Sequence, residues 1–144
     1  MSGPEGLFKF AQESLHALTY NSLPLISAAR SCGRLNDFLA VDSMCDSVLV
    51  MNHVARRASV AQGKGILNAA AAAFPFLGIK DLRKQLDSTH SFAWHFAPIF
   101  GLLCRMLGVR DIEARRMFLF MALRQVFIPR SRPDLIVILN LHSM

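Results

Sequence analysis

The chain lacks any run long and apolar enough to cross a bilayer as a helix. A span needs about 20 uncharged apolar residues, and the best stretch, Phe92 to Val109, is interrupted by His95, Pro98 and Arg105. Charge is scarce, at 18% of residues against about 25% in an average soluble domain. The 10 acidic residues are dispersed, so no paired carboxylate stands out for acid–base catalysis. The three cysteines, Cys32, Cys45 and Cys104, are an odd number without metal-like spacing. They fit reduced, small core residues of a cytoplasmic protein. No HExxH or CxxC occurs, and Gly63-Lys64-Gly65 lacks the first glycine and the Lys-Ser/Thr pair of a phosphate loop. A Ser/His/Asp site would draw its members from distant parts of a chain, and nothing here selects one. The opening MSGPEGLFKF has no basic region followed by an apolar stretch, so no signal peptide is expected.

What is present is apolar mass. The 144 residues make one ordinary domain, 53% of them hydrophobic, with a mean hydropathy of +0.35. So much apolar surface is either buried in helices or covered by a partner. The net charge is +6, but the basic residues are scattered and have no interleaved aromatics for stacking bases. Neither nucleic acid nor a membrane surface is an expected partner.

Helical periodicity dominates. Leu7, Phe10, Ala11, Leu15 and Leu18 share one helical face, with Ser2 and Glu5 spaced as a capping box. A second helix is expected from Ser22, with Pro24 in its first turn, to Gly33. A third starts near Asn36 or Asp37, its apolar face supplied by Phe38, Leu39, Cys45, Val48 and Leu49. Residues 52–74 read as one long helix whose second half holds the alanine run 69–73. Gly63 and Gly65 each cost it about 1 kcal/mol against alanine, so tight packing or a kink should compensate. Pro75 and Gly78 end it. A short helix over 79–86, a polar loop over 87–92 and a helix opened by Pro98 and closed by Gly108 follow. Asp111 is placed to cap the last helix and to pair with Arg115. The run 117–123 is apolar all round, which predicts a central helix. Pro129 and Pro133 stop helix formation, and Leu135–Leu139 is a lone candidate strand. The class is therefore all-α, a compact bundle of about six to seven helices.

The histidines are His16, His53, His90, His95 and His142. No two are i, i+4 partners. His90 and His95 flank a loop and are a conceivable metal pair, but structural roles are expected for each, and no metal site is assigned.

Two stretches carry more information. Residues 52–67 contain Arg57-Ala58-Ser59 followed by Gln62-Gly63. Residues 95–109 contain His95, then Ala97-Pro98-Ile99-Phe100-Gly101. In this order they resemble the UreF family of urease accessory proteins, especially its eukaryotic members. The last helix, with Phe118, Leu119, Phe120, Leu123 and Arg124, and the upstream SLPLISAAR are similar to the same family. The resemblance covers about residues 6 to 127. Family members are longer, with an upstream Gly-Gly-Phe segment and a Ser-Ala-Ala run after the last helix. This resemblance implies an incomplete UreF-like domain over 1–127 and a divergent Pro-containing tail over 128–144. An altered reading frame, an alternative exon or a faulty gene model would produce such a tail.

The resemblance further implies a non-enzymatic, cytoplasmic scaffold. It would bridge a UreD/UreH-type accessory protein and the GTPase UreG, and help deliver nickel to the urease apoprotein. The full-length form would be a homodimer. Nickel would be handled by the complex, with no cofactor bound to this chain and no catalytic residue in it. The partner-binding candidates are Arg56, Arg57, Ser59, Gln62, His95 and Arg124. For Ser59 and Gln62 the competing role is an internal hydrogen-bonded contact between helices, and for His95 a helix anchor. The alternative function is a helical adaptor unrelated to urease.

Overall fold

The computed structural model describes residues 3–127. Six α-helices follow in order: α1 (Pro4–Arg30), α2 (Leu35–Leu49), α3 (His53–Ala73), α4 (Ile79–Asp87), α5 (Phe96–Met106) and α6 (Asp111–Phe127). One 3-10 turn, Pro75–Leu77, links α3 to α4, and Gly78 leaves it with a left-handed φ of 72° that glycine adopts at little cost. Among the described residues there is no strand, and the all-α expectation holds. The possible strand Leu135–Leu139, the tail 128–144, His142 and Ser2 of the expected capping box lie outside the described residues.

The core is organised around α5. Its Ile99 and Leu103 join one cluster with Phe38, Leu67, Ile79, Leu86 and Phe92. Its Ala97, Phe100 and Cys104 join a second with Leu25, Ile26, Cys45, Ala114 and Phe118. Burying one such large side chain contributes roughly 1.5–3 kcal/mol, so α5 ties both clusters into one body. The helix is apolar over most of its surface because most of it is covered, with Arg105 left exposed. α1 crosses it where Gly101 sits. A Cβ there would overlap the Ile26 carbonyl oxygen and crowd the Ala29 side chain.

Several expectations are corrected. Residues 4–30 form a single helix, with no break near Ser22, and Pro24 lies inside it. An internal proline forfeits one helical hydrogen bond at about 3 kcal/mol. Leu25, Ile26 and Ala29, just beyond it, are buried and offset that cost. On the expected apolar face Leu7 and Phe10 are exposed, while Ala11 is buried. Ser27 bonds to Asp111 at the start of α6, and α6 runs back along α1 from there. At 1.5 Å per residue α1 is about 40 Å long and α6 about 26 Å, so the first turns of α1 overhang.

The last helix is not central. Ala114, Phe118 and Ala122 are buried, while Ile112, Met117, Phe120 and Leu123 face outward. Asp111 is the first residue of α6, after Arg110. Its carboxylate takes the Ser27 hydroxyl at 2.8 Å and the Arg115 guanidinium at 3.1 Å, so the expected i, i+4 pair is present.

Candidate functional site

The signature residues converge where α2, α3 and the entry to α5 meet. Asn52 caps α3 by accepting the Ala55 N–H at 3.1 Å, rather than forming part of the helix. The following turns present Arg56, Ser59 and Gly63 to the loop that precedes α5. Ser59 Oγ accepts the Phe96 N–H at 3.2 Å and lies 3.0 Å from His95 Nδ1. His95 Nε2 lies 2.8 Å from Asp46 Oδ1. Asp46 also accepts from Arg56 Nε at 2.7 Å. His95 is wholly buried. Ser59 Oγ and Asp46 Oδ1 thus engage both ring nitrogens, which leaves neither unpaired in the interior.

Asp42 sits one turn before Asp46 and is also wholly buried. Its Oδ2 accepts the Ala93 N–H at 2.8 Å and its Oδ1 the His95 N–H at 3.1 Å. Burial raises its pKa, against the lowering effect of those two bonds. Asp46 is different. The His95 hydrogen bond first, then that from Arg56, hold its carboxyl below the usual range. One aspartate therefore clamps backbone and the other clamps side chains. Sequence reasoning found no significant carboxylate pair. The signal was present, because Asp42 falls on the apolar face between Phe38 and Cys45, where a carboxylate needs dedicated donors.

The loop clamped this way holds Trp94 at φ 68°, a conformation costing a non-glycine residue of order 1–3 kcal/mol. Its carbonyl oxygen occupies the space where a Cβ at Gly63 would be. The Trp94 ring packs edge-on against Phe92 at 4.8 Å, with Lys64 Nζ 6.0 Å above it. The compensation expected for Gly63 is thus close packing. Gly65 has nothing within 4 Å of a built Cβ, so packing does not account for it.

Beside this cluster lies an apolar groove of about 440 Å³. Its walls are Leu25 of α1, Cys45, Val48 and Leu49 of α2, Ala55, Ala58, Ser59 and Gln62 of α3, and Phe118, Met121, Ala122 and Gln125 of α6, with Phe96 and Ala97 at one end. Asn21 and Ser22 complete the polar lining. Burial pushes the Cys45 thiol up to about 12, with Asp42 and Asp46 adding to the shift, so no thiolate nucleophile faces the groove near neutral pH.

The structure brings Arg56, Ser59 and His95 into one network and places Gln62 with Ser59 on the groove wall. Arg57 and Arg124 are exposed and belong to neither. The order Asp46–His95–Ser59 has the residue types of a hydrolytic triad. Here, however, the imidazole is closed to solvent, its carboxylate partner is shared with Arg56, and the serine oxygen already caps Phe96. The arrangement locks three helices together. His90 is exposed and both ring nitrogens of His95 are engaged. Among the described residues no three His, Cys, Asp or Glu side chains gather as a metal site, and no helix is long and apolar enough to cross a membrane.

Comparison with known proteins accounts for the shared pattern. A family model described as UreF matches residues 1–127. Urease accessory protein F of Oryza sativa subsp. indica is 29% identical over 137 residues, covering 94% of this chain and 52% of the relative. The protein of the same name from Arabidopsis thaliana is 28% identical over 137 residues, covering 94% of this chain and 57% of the relative. The chain spans about half the length of the curated relatives it matches. No solved structure matches. The pairing of an Ala-Ser-x-x-Gln-Gly helix with a His-x-Ala-Pro-Ile-Phe-Gly helix has its explanation in ancestry as well as geometry: the chain belongs to the UreF family.

Proposed function

We propose that the chain acts as a non-catalytic accessory scaffold in urease maturation. The observation that carries this reading is the family match over 127 of its residues. The reading is supported by relatives that bear the name urease accessory protein F. In this role the chain bridges a UreD/UreH-type protein and a UreG-type GTPase in the cytoplasm, so that nickel passes to the urease apoprotein as cargo. The longer form is a homodimer, and the chain binds no cofactor of its own. Arg56, Arg57, Ser59, Gln62, His95 and Arg124 remain the partner-side candidates. Of these, the exposed Arg57 and Arg124 reach a partner directly, and the rest hold the surface in shape.

Exposed apolar side chains suit a scaffold. Phe8 on α1 is 66% exposed and Phe120 on α6 is 64% exposed, and large contiguous apolar surface on a folded chain marks interfaces. The test is co-expression with the UreD-type and UreG-type proteins of the same source, followed by size exclusion. Co-elution with the UreD-type protein supports the scaffold reading. A soluble chain that elutes alone, and still does so when lengthened to the span of its relatives, sinks it in favour of a helical adaptor outside urease maturation.

A further inference from the structure

The basic residues are scattered along the chain, but the fold gathers four of them. α4 carries a charged stripe, Lys80, Arg83, Lys84 and Asp87, at i, i+3, i+4, i+7 spacing. Ile79, Leu82 and Leu86 turn the other way, into the core. The stripe and α3 enclose a shallow groove. Its two adjoining hollows, of about 130 and about 440 Å³, share Asn68, Arg83 and Asp87. Lys64 and Trp94 line the first, and Lys80 and Lys84 the second. Charge in the groove is one-sided, with four cations against the single carboxylate of Asp87. That carboxylate stands 3.9 Å from Arg83 Nε, and Arg83 also donates to Asn68, so the guanidinium is held in place. Among the described residues Lys64, Lys80 and Lys84 have no ion-pair partner. Asp81, the other acid of α4, is exposed outside the lining. A concave surface of one sign focuses its field and draws an oppositely charged partner.

We propose that this groove takes an acidic, extended peptide segment of a partner protein, with carboxylates on Lys64, Lys80, Arg83 and Lys84. The fit is one of charge and spacing. Lys80 and Lys84 lie about 6 Å apart along α4, and alternate side chains of an extended chain are spaced by about 6.6 Å. Successive acidic side chains on one face of the segment therefore meet successive cations. On the α3 side the short side chains of Ala71 and Ala72 line the groove and let the peptide backbone lie close. Trp94 closes one end, its ring edge-on to Phe92 with Lys64 Nζ 6.0 Å from its centre. A nucleic-acid strand is a poorer occupant. It stacks successive bases on several aromatic faces, and this lining has one. The binding depends on this chain alone, whatever partners the scaffold joins.

The probe is a fluorescein-labelled oligo-glutamate peptide, followed by anisotropy with the full chain at low ionic strength, where exposed charges are least screened. Lys80→Glu with Lys84→Glu should weaken binding at least tenfold. Arg110→Glu with Arg116→Glu makes the same change in net charge at exposed positions outside the groove and should weaken it less than threefold. Equal loss in the two double variants overturns the proposal, because the peptide then reads net charge alone. A second measurement needs no variant. Unlabelled oligo-glutamate titrates the parent chain through Trp94, its one tryptophan. A saturable change in Trp94 emission is expected, and its absence overturns the proposal. Oligothymidylate of equal charge, used as a competitor, should displace the labelled peptide at least tenfold less well than unlabelled oligo-glutamate does. Equal or better displacement overturns the proposal in favour of a nucleic acid.

Discussion

The carbonyl oxygen of Trp94 fills the site that a side chain at Gly63 would occupy. This contact joins the two signature stretches, since Gly63 belongs to the α3 motif and Trp94 directly precedes the α5 motif. Gly63→Ala should therefore destabilise the fold by about 2 kcal/mol, within the range for overpacking a tight contact, despite the helix propensity it gains. Gly65→Ala, two residues away with open space around it, should instead stabilise by up to about 1 kcal/mol. Urea melts of both variants check the pair. Equal effects would show that propensity alone governs these positions.

Ser59→Ala removes one oxygen that serves two partners, His95 Nδ1 and the Phe96 N–H. Leaving buried polar groups unpaired costs about 1–3 kcal/mol. The variant should lose that much stability. Gln62→Ala, whose side chain lines the open groove, should stay within about 0.5 kcal/mol. Thermal denaturation of the two separates a network serine from a wall residue.

Acid should loosen the clamp through Asp46. Its carboxyl is held below the usual value by His95 and Arg56. The resulting stability is present above the ordinary value of 3.8 and is lost as pH falls through the lower folded value. Asp46→Asn should lower stability at neutral pH and flatten that acid limb. Asp42 has the opposite sign, because burial raises its pKa. Its contribution is complete below the unfolded value and declines as pH rises through the folded one. Denaturant midpoints from pH 3 to 7 for the parent and Asp46→Asn read the effect directly.

The thiols should be quiet in the folded chain. Burial raises all three, Cys45 to about 12, with Asp37 adding at Cys32 and Arg30 and Arg105 opposing at Cys104 and Cys32 respectively. Reaction with a maleimide at pH 7.5 should be at least tenfold slower than in denaturant. Cys32, the least buried, should be modified first, and early modification of Cys45 would contradict the packing of α2.

Phe120→Glu tests the outward face of α6. The side chain is mostly exposed, so stability should change by no more than about 0.5 kcal/mol. If this face is the scaffold's contact, co-elution with the UreD-type partner should fall by tenfold or more in affinity. Unchanged co-elution would move the contact elsewhere.

The helical class, the ends of α3 and α4, the C-terminal end of α5 and the two signature stretches were legible in the chain because each rests on local chemistry, whereas α5 begins at Phe96, two residues before the Pro98 expected to open it. Periodicity shows a helix, Asn52 begins one, and Pro75 with Gly78 ends one. The Asp111–Arg115 pair was legible for the same reason, since i, i+4 spacing fixes the neighbourhood within one helix. The unbroken course of α1 through Pro24 was not legible. It depends on packing against α5 and α6, which outweighs a local penalty. The exposure of Met117, Phe120 and Leu123 was hidden too, because an all-round apolar helix reads as central whether or not neighbours cover it.

The sequence by itself determined that these residues form helices and which two segments carry the family pattern. Those properties follow from spacing and residue type along the chain. The tertiary structure alone decided what the pattern is for. It set Asp42 and Asp46 against a loop 51 and 49 residues away, joined Ser59 to His95, and fitted Gly63 to a carbonyl on another segment. Hydrogen bonds and close contacts depend on distance in space, and no local rule brings residues so far apart in the chain to within 3 Å.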